Sequence, residues 1–133
     1  MRPRGKFLHT RQVWKWLDQN NKGSVLLWKI FRVTGNSMAP TIEHGDFVVA
    51  QKYKKPPVEG TVAVIYHPIL GNLIKRINKI PGTKMYMATG DNDISIRNTS
   101  IGSLKASEIV YQAILRVSPS GLTRLKPRRN DFK

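Results

Sequence analysis

The segment Val33-Thr34-Gly35-Asn36-Ser37-Met38-Ala39-Pro40-Thr41-Ile42-Glu43-His44-Gly45-Asp46 decides how this chain is read. Lys29–Thr34 enters it with the texture of a short strand. Asp46-Phe47-Val48-Val49-Ala50-Gln51-Lys52 leaves it, after Gly45, as a second strand. Between them lies a turn on which the Ser37 hydroxyl can project from the surface. Gly35 lets the backbone come close to a bound substrate. Pro40 fixes the turn, and Asp46 is expected to hold its backbone rather than to do chemistry. A serine alone is a weak nucleophile and requires a base within hydrogen-bond reach.

The β texture continues outward. Pro56-Pro57 breaks the chain, and Gly60–Tyr66 is a third, β-branched strand. After a loop over 67–72, the segment from Leu73 to Ile80 alternates. Leu73, Lys75, Ile77 and Lys79 share one face; Ile74, Arg76, Asn78 and Ile80 share the other. Pro81-Gly82 turns the chain, and Met85–Thr89 leads into a second turn, Gly90-Asp91-Asn92. Glu108–Val117 reads as a long closing strand. Upstream, Thr10 is a plausible N-cap for a short helix over 10–20, with Val13, Trp14 and Leu17 on one face. The expected architecture is mainly β: a small, coiled, barrel-like fold with a short N-terminal helix. The expected divisions are a basic extension over 1–28, a domain over 29–117 and a mobile basic tail over 118–133.

Composition narrows the chemistry. With 133 residues the chain is one domain, long enough to fold without covalent staples. It has no cysteine, which excludes disulfides, thiolate metal sites and a cysteine nucleophile. His9, His44 and His67 show no metal-ligand spacing, so neither a metal nor another cofactor is expected. The most apolar run, Ser24–Val33, carries Lys29 and Arg32 and falls short of the roughly 20 apolar residues of a spanning helix. These features lead to the expectation of a soluble, cytoplasmic protein. The balance of 23 Lys and Arg against 8 Asp and Glu gives +15. That field suits acidic partners, including nucleic acid or an anionic membrane surface. No aromatic-rich RNA-binding signature accompanies the basic ends, so nucleic acid is not favoured. Trp14 and Trp16 beside Lys and Arg would suit a membrane surface, or simply a helix packed on the domain.

No histidine sits in a comparable motif, but lysine can serve as the base if burial lowers its pKa towards neutrality. Lys75, set in the apolar strand beside Leu73, Ile74 and Ile77, is the natural candidate. Ordinary strand lysines snorkel to water instead.

The motifs then resemble a family. Gly35-x-Ser37-Met38-x-Pro40-Thr41-Ile42 resembles the nucleophile box of the type I signal peptidases, G-x-S-M-x-P-T-L. Gly45-Asp46-x-Val48 resembles the next box, and Lys75-Arg76-Ile77 with Pro81-Gly82 the box that carries a general-base lysine. Gly90-Asp91-Asn92 resembles the start of the last. The resemblance covers roughly residues 33–117. It implies a signal-peptidase or LexA-type catalytic fold, a Ser37–Lys75 dyad and a precursor protein as substrate. Gly35, Met38, Pro40, Arg76, Asp91 and Ser95 would support the site, Ser95 by hydrogen-bonding the lysine amine. The short connection between the last two boxes and the lack of an anchor resemble the small soluble proteases that mature nickel superoxide dismutase. In such a reaction the nickel belongs to the substrate.

The last box departs from the family pattern S-x-D-S-R. The family's aspartate falls on Arg97 and its arginine on Thr99, while Ser95 and Gly102 match. The missing carboxylate would normally pair with arginines such as Arg76, so like charges would gather near Lys75 unless Asp93 substitutes by a shift of register. This departure, with the charge, leaves three alternatives. They are a catalytically impaired relative serving as a basic binding module, a membrane-surface signal peptidase, and LexA-type self-cleavage. The last lacks an Ala-Gly or Cys-Gly pair in the first 28 residues.

Overall fold

A computed structural model describes residues 27–92 and 101–128. The expected N-terminal helix lies outside these residues. The described chain folds as one open antiparallel sheet of eight strands. They are β1 (Trp28–Arg32), β2 (Phe47–Lys52), β3 (Val62–His67), β4 (Gly71–Lys79), β5 (Tyr86–Thr89), β6 (Ser103–Leu104), β7 (Ile109–Ser118) and β8 (Gly121–Arg124). The only helix among the described residues is the 3-10 turn Ala106–Glu108, which precedes β7. The mainly β expectation therefore holds, with strand boundaries shifted by a residue or two. The pairing path runs β1-β2-β7-β3-β4-β5-β6 and does not close into a barrel.

The segment expected to close the domain is instead its central strand. One edge of β7 pairs with β2 along Tyr111–Val117. Its other edge pairs with β3 at Ile109–Gln112 and then with β8 at Leu115–Ser118. Register shifts on both sides, between Val49 and Ala50 and between Val64 and Ile65, mark bulges that bend the ladder. Bending lets one sheet wrap three cores, the smallest of them Ile30, Val49 and Val117. The first holds Phe31, Val33, Met38, Ile42, Val48, Ala50, Val64 and Tyr111. The second holds Ala63, Ile65, Ile77, Tyr86, Ala88, Leu104 and Ile109. Each fully buried Val or Ile among them contributes about 1.5–3 kcal/mol.

Residues 118–128 are also not the mobile tail that Pro119 and Gly121 suggested. β8 extends the sheet, and Leu125 packs into the first core. Leu125 N–H donates to the Ile114 carbonyl at 2.8 Å, and Arg128 N–H to the Gly60 carbonyl at 2.9 Å. This close approach requires glycine at position 60. Its φ of +84° is left-handed, and a Cβ there would collide with the Arg128 carbonyl.

Candidate active site

The turn that carries Ser37 is tied down at both ends. Val33 N–H donates to the Asp46 carbonyl at 2.8 Å and Gly45 N–H to the Val33 carbonyl at 2.9 Å, so the loop is cinched where it leaves β1 and enters β2. Asp46 is buried and performs the expected backbone role. Its Oδ2 accepts from Glu43 N–H at 2.8 Å and from Arg116 Nε at 2.7 Å. Met38 and Ile42 are packed into the first core, which fixes the turn from below. Pro40 is exposed and follows a cis peptide bond. Gly35 has φ +83°, and its N–H donates to His44 Nδ1 at 2.9 Å. His44 thus serves as an acceptor that shapes the loop, a role the sequence left open.

Lys75 lies in β4 opposite Ala63. Its neighbours Leu73 and Ile74 lean on the first two cores. The side chain is half-buried, and burial pushes its ammonium below the ordinary lysine value. Among the described residues it forms no ion pair. Ser37 and Lys75 line the same cleft, of about 140 Å³, together with Phe31, Arg32, Val33, Thr34, Met38, Asn72, Leu73 and Ile74. One wall comes from β1 and the serine turn and the other from β4. The two residues singled out by the sequence thus line one cleft.

A buried carboxylate joins these walls from behind. Asp91 Oδ1 accepts from Arg76 Nε at 2.8 Å, and Oδ2 accepts from Arg76 Nη2 at 2.7 Å. Oδ2 also accepts from Thr41 Oγ1, on the serine turn, and Oδ1 from Arg128 Nη2 at 3.1 Å. Burial alone would raise the Asp91 pKa. The bonds from Arg76 and Thr41 and the charges of Arg76 and Arg128 outweigh it and hold the carboxyl below its usual value. The neighbouring Asn92 N–H donates to the Ser37 carbonyl at 3.0 Å, and its side-chain amide to the Asn36 carbonyl at 3.0 Å. The Gly90-Asp91-Asn92 turn therefore braces the serine turn directly.

This corrects one expectation from the sequence. Arg76 is not left without a carboxylate by the altered last box, because Asp91 pairs with it. Ser95, Asp93, Arg97 and Thr99 lie outside the described residues; Gly102 is exposed with φ +73°. Thr41 and Arg128 carried no sequence signal for this network. Arg32 in the cleft could have been anticipated only from its place three residues before Gly35.

A family model described as "Signal peptidase, peptidase S26" matches residues 23–124, most of the chain and every strand described above. The chain belongs to the peptidase S26 signal peptidase family. Signal peptidase I of Buchnera aphidicola subsp. Acyrthosiphon pisum (strain APS) is 31% identical over 87 residues. That match takes in 53% of this chain and 28% of the relative, so the chain spans less than a third of that signal peptidase's length. No solved structure matches the chain. The cleft that holds Ser37 and Lys75 lies wholly within the part matched to the signal peptidase family.

Proposed function

We propose that this protein is a serine endopeptidase of the signal-peptidase type, with Ser37 as nucleophile and Lys75 as general base. The observation that carries the reading is their shared cleft. There a half-buried lysine, without an acidic partner among the described residues, lines the same cleft as a partly exposed serine on a braced turn. Lowering the lysine pKa increases the fraction of neutral amine available to accept a proton.

In the first step neutral Lys75 Nζ takes the Ser37 hydroxyl proton while Oγ adds to the carbonyl carbon of the scissile peptide. The tetrahedral oxyanion collapses to an acyl-enzyme, and the lysinium gives its proton to the departing amine. Lys75 then deprotonates a water that attacks the ester, and the proton returns to Ser37 as the acid product leaves. The Ser37 backbone N–H is the proposed oxyanion donor, an arrangement worth about 3–4 kcal/mol in acyl transfer. Gly35 supplies no side-chain hydroxyl to assist. Ser95 is proposed to orient the lysine amine.

The proposed substrate is a precursor protein from which an N-terminal signal-like or propeptide segment is removed in the cytoplasm. The nickel superoxide dismutase precursor is the first substrate to try. Incubating the purified protein with that precursor and, separately, with a generic signal-peptide substrate tests the choice. A single new N-terminus on the dismutase alone, identified by mass spectrometry, supports the maturation role. Cleavage of the signal peptide alone removes that role and leaves the peptidase.

A second reading rests on the +15 charge: the fold as a basic binding module. Salt-sensitive RNA binding by a folded protein that cleaves neither substrate supports it.

A further inference from the structure

The lining of the cleft carries a charge pattern that the dyad does not use. Its charged residues, among those described, are Arg32 and Lys75, both basic. Lys75 is the proposed base, which leaves Arg32, exposed at the end of β1, as the fixed cation facing a bound chain. Among the described residues Arg32 forms no ion pair. The described carboxylates are engaged elsewhere. Glu43 and Asp46 bind Arg116, and Asp91 binds Arg76 and Arg128. Glu59 accepts from Lys79 N–H and Glu108 from Lys105 N–H. None of them lines the cleft.

Phe31, the residue before Arg32, also lines the cleft, and Lys29 Nζ lies 5.2 Å from its ring centroid. Tyr111 meets the Phe31 ring edge-on at 5.3 Å and is tilted against Tyr66 at 6.2 Å. A carboxylate entering the cleft would meet Arg32 at its exposed rim. A guanidinium also offers a planar pair of donors that fits a carboxylate in two-point fashion.

We propose that Arg32 is a specificity-determining residue that selects substrates carrying an acidic side chain near the scissile bond. This deepens the peptidase reading and rests on it for the meaning of the scissile bond. The binding preference itself can be measured without catalysis.

Short alanine-rich peptides carrying Glu, Gln or Lys at a scanned position serve as probes. Their binding is measured by fluorescence anisotropy to the Ser37→Ala protein, and their cleavage by the unmodified protein. At the responsive position the Glu peptide is expected to bind about three- to tenfold more tightly than the Lys peptide at low salt. The ratio should shrink as ionic strength rises, because an exposed pair is screened. Arg32→Glu should invert the ratio, Arg32→Ala should bring it close to one, and Arg32→Lys should retain part of it. These three variants guard against one of them failing to fold. Equal binding of the Glu and Lys peptides at every position overturns the inference, as does a preference that Arg32→Glu leaves intact. Arg32-dependent selection of Glu in binding, with no cleavage by the unmodified protein, upholds the inference and overturns the peptidase reading alone.

Discussion

The Arg76 guanidinium grips Asp91 with two parallel bonds, Nε to Oδ1 at 2.8 Å and Nη2 to Oδ2 at 2.7 Å. Arg76 follows Lys75 in β4, and Asp91 also holds Thr41 of the serine turn. One buried carboxylate thereby sets the spacing between the two walls of the cleft. Both side chains are almost wholly withdrawn from solvent, at 7% for Arg76 and 1% for Asp91. An unpaired charge there has no water to turn to.

Asp91→Asn keeps the shape and removes the charge. It is expected to destabilise the fold by on the order of 3 kcal/mol, because the Arg76 charge stays buried without its partner. Urea denaturation of the two proteins measures this. The sign of the pH dependence follows from the depressed carboxyl. With a folded value below the unfolded one of about 3.9, the stabilisation is present above that pH and is lost as pH falls through the folded value. The urea midpoint of the unmodified protein should therefore drop in acid, and that of Asp91→Asn should drop less. Parallel curves would show that Asp91 is not the linked group.

Lys75 presents the opposite case. Its folded pKa lies below the unfolded one, so the folded state binds the proton less readily and holding the ammonium in the cleft costs stability. Raising the pH through the folded value relieves that cost. Lys75→Met should accordingly raise the denaturation midpoint at neutral pH, and the gain should fade in alkali. The same substitution should abolish cleavage. In the unmodified protein, kcat/KM should fall as pH drops through the lowered lysine value. A flat rate profile down to about pH 5 contradicts lysine as the base.

The segment after Ser118 separates two contributions. Leu125 is only 8% exposed and packs with the first core, so Leu125→Ala is expected to cost about 2–4 kcal/mol. The Arg128 side chain is 59% exposed, and its bond to Asp91 is solvent-screened. Arg128→Ala should cost no more than about 1 kcal/mol. Thermal or urea unfolding of the two variants distinguishes a core strap from a tail; equal, negligible effects would mean the segment contributes nothing to the fold.

The sequence carried the strands well, for physical reasons that can be located. The β-branched run Gly60–Tyr66 and the alternation from Leu73 are local signals, and each forms a strand close to where it was expected. The serine turn is marked by Gly35, Pro40 and Gly45, whose backbone requirements are written in residue type. Neighbour choice is not local. Nothing in Glu108–Val117 tells a closing strand from the central β7, which pairs with β2, β3 and β8. β8 was missed because four residues between Gly121 and a basic run are too short to show a period. The parts of Thr41 and Arg128 in the Asp91 network escaped because partners so distant in sequence leave no local signal. The network joins Thr41, Arg76 and Arg128, residues far apart in the chain that only the folded sheet brings together.

The most direct test of the Ser37–Lys75 dyad is proteolysis by the unmodified protein beside Ser37→Ala and Lys75→Met, all three confirmed as folded by circular dichroism. Each is incubated with a precursor substrate and the new N-terminus is read by mass spectrometry. The account predicts cleavage at one site by the unmodified protein and none by either variant. Cleavage retained in either variant, or no cleavage by the folded unmodified protein, would contradict it.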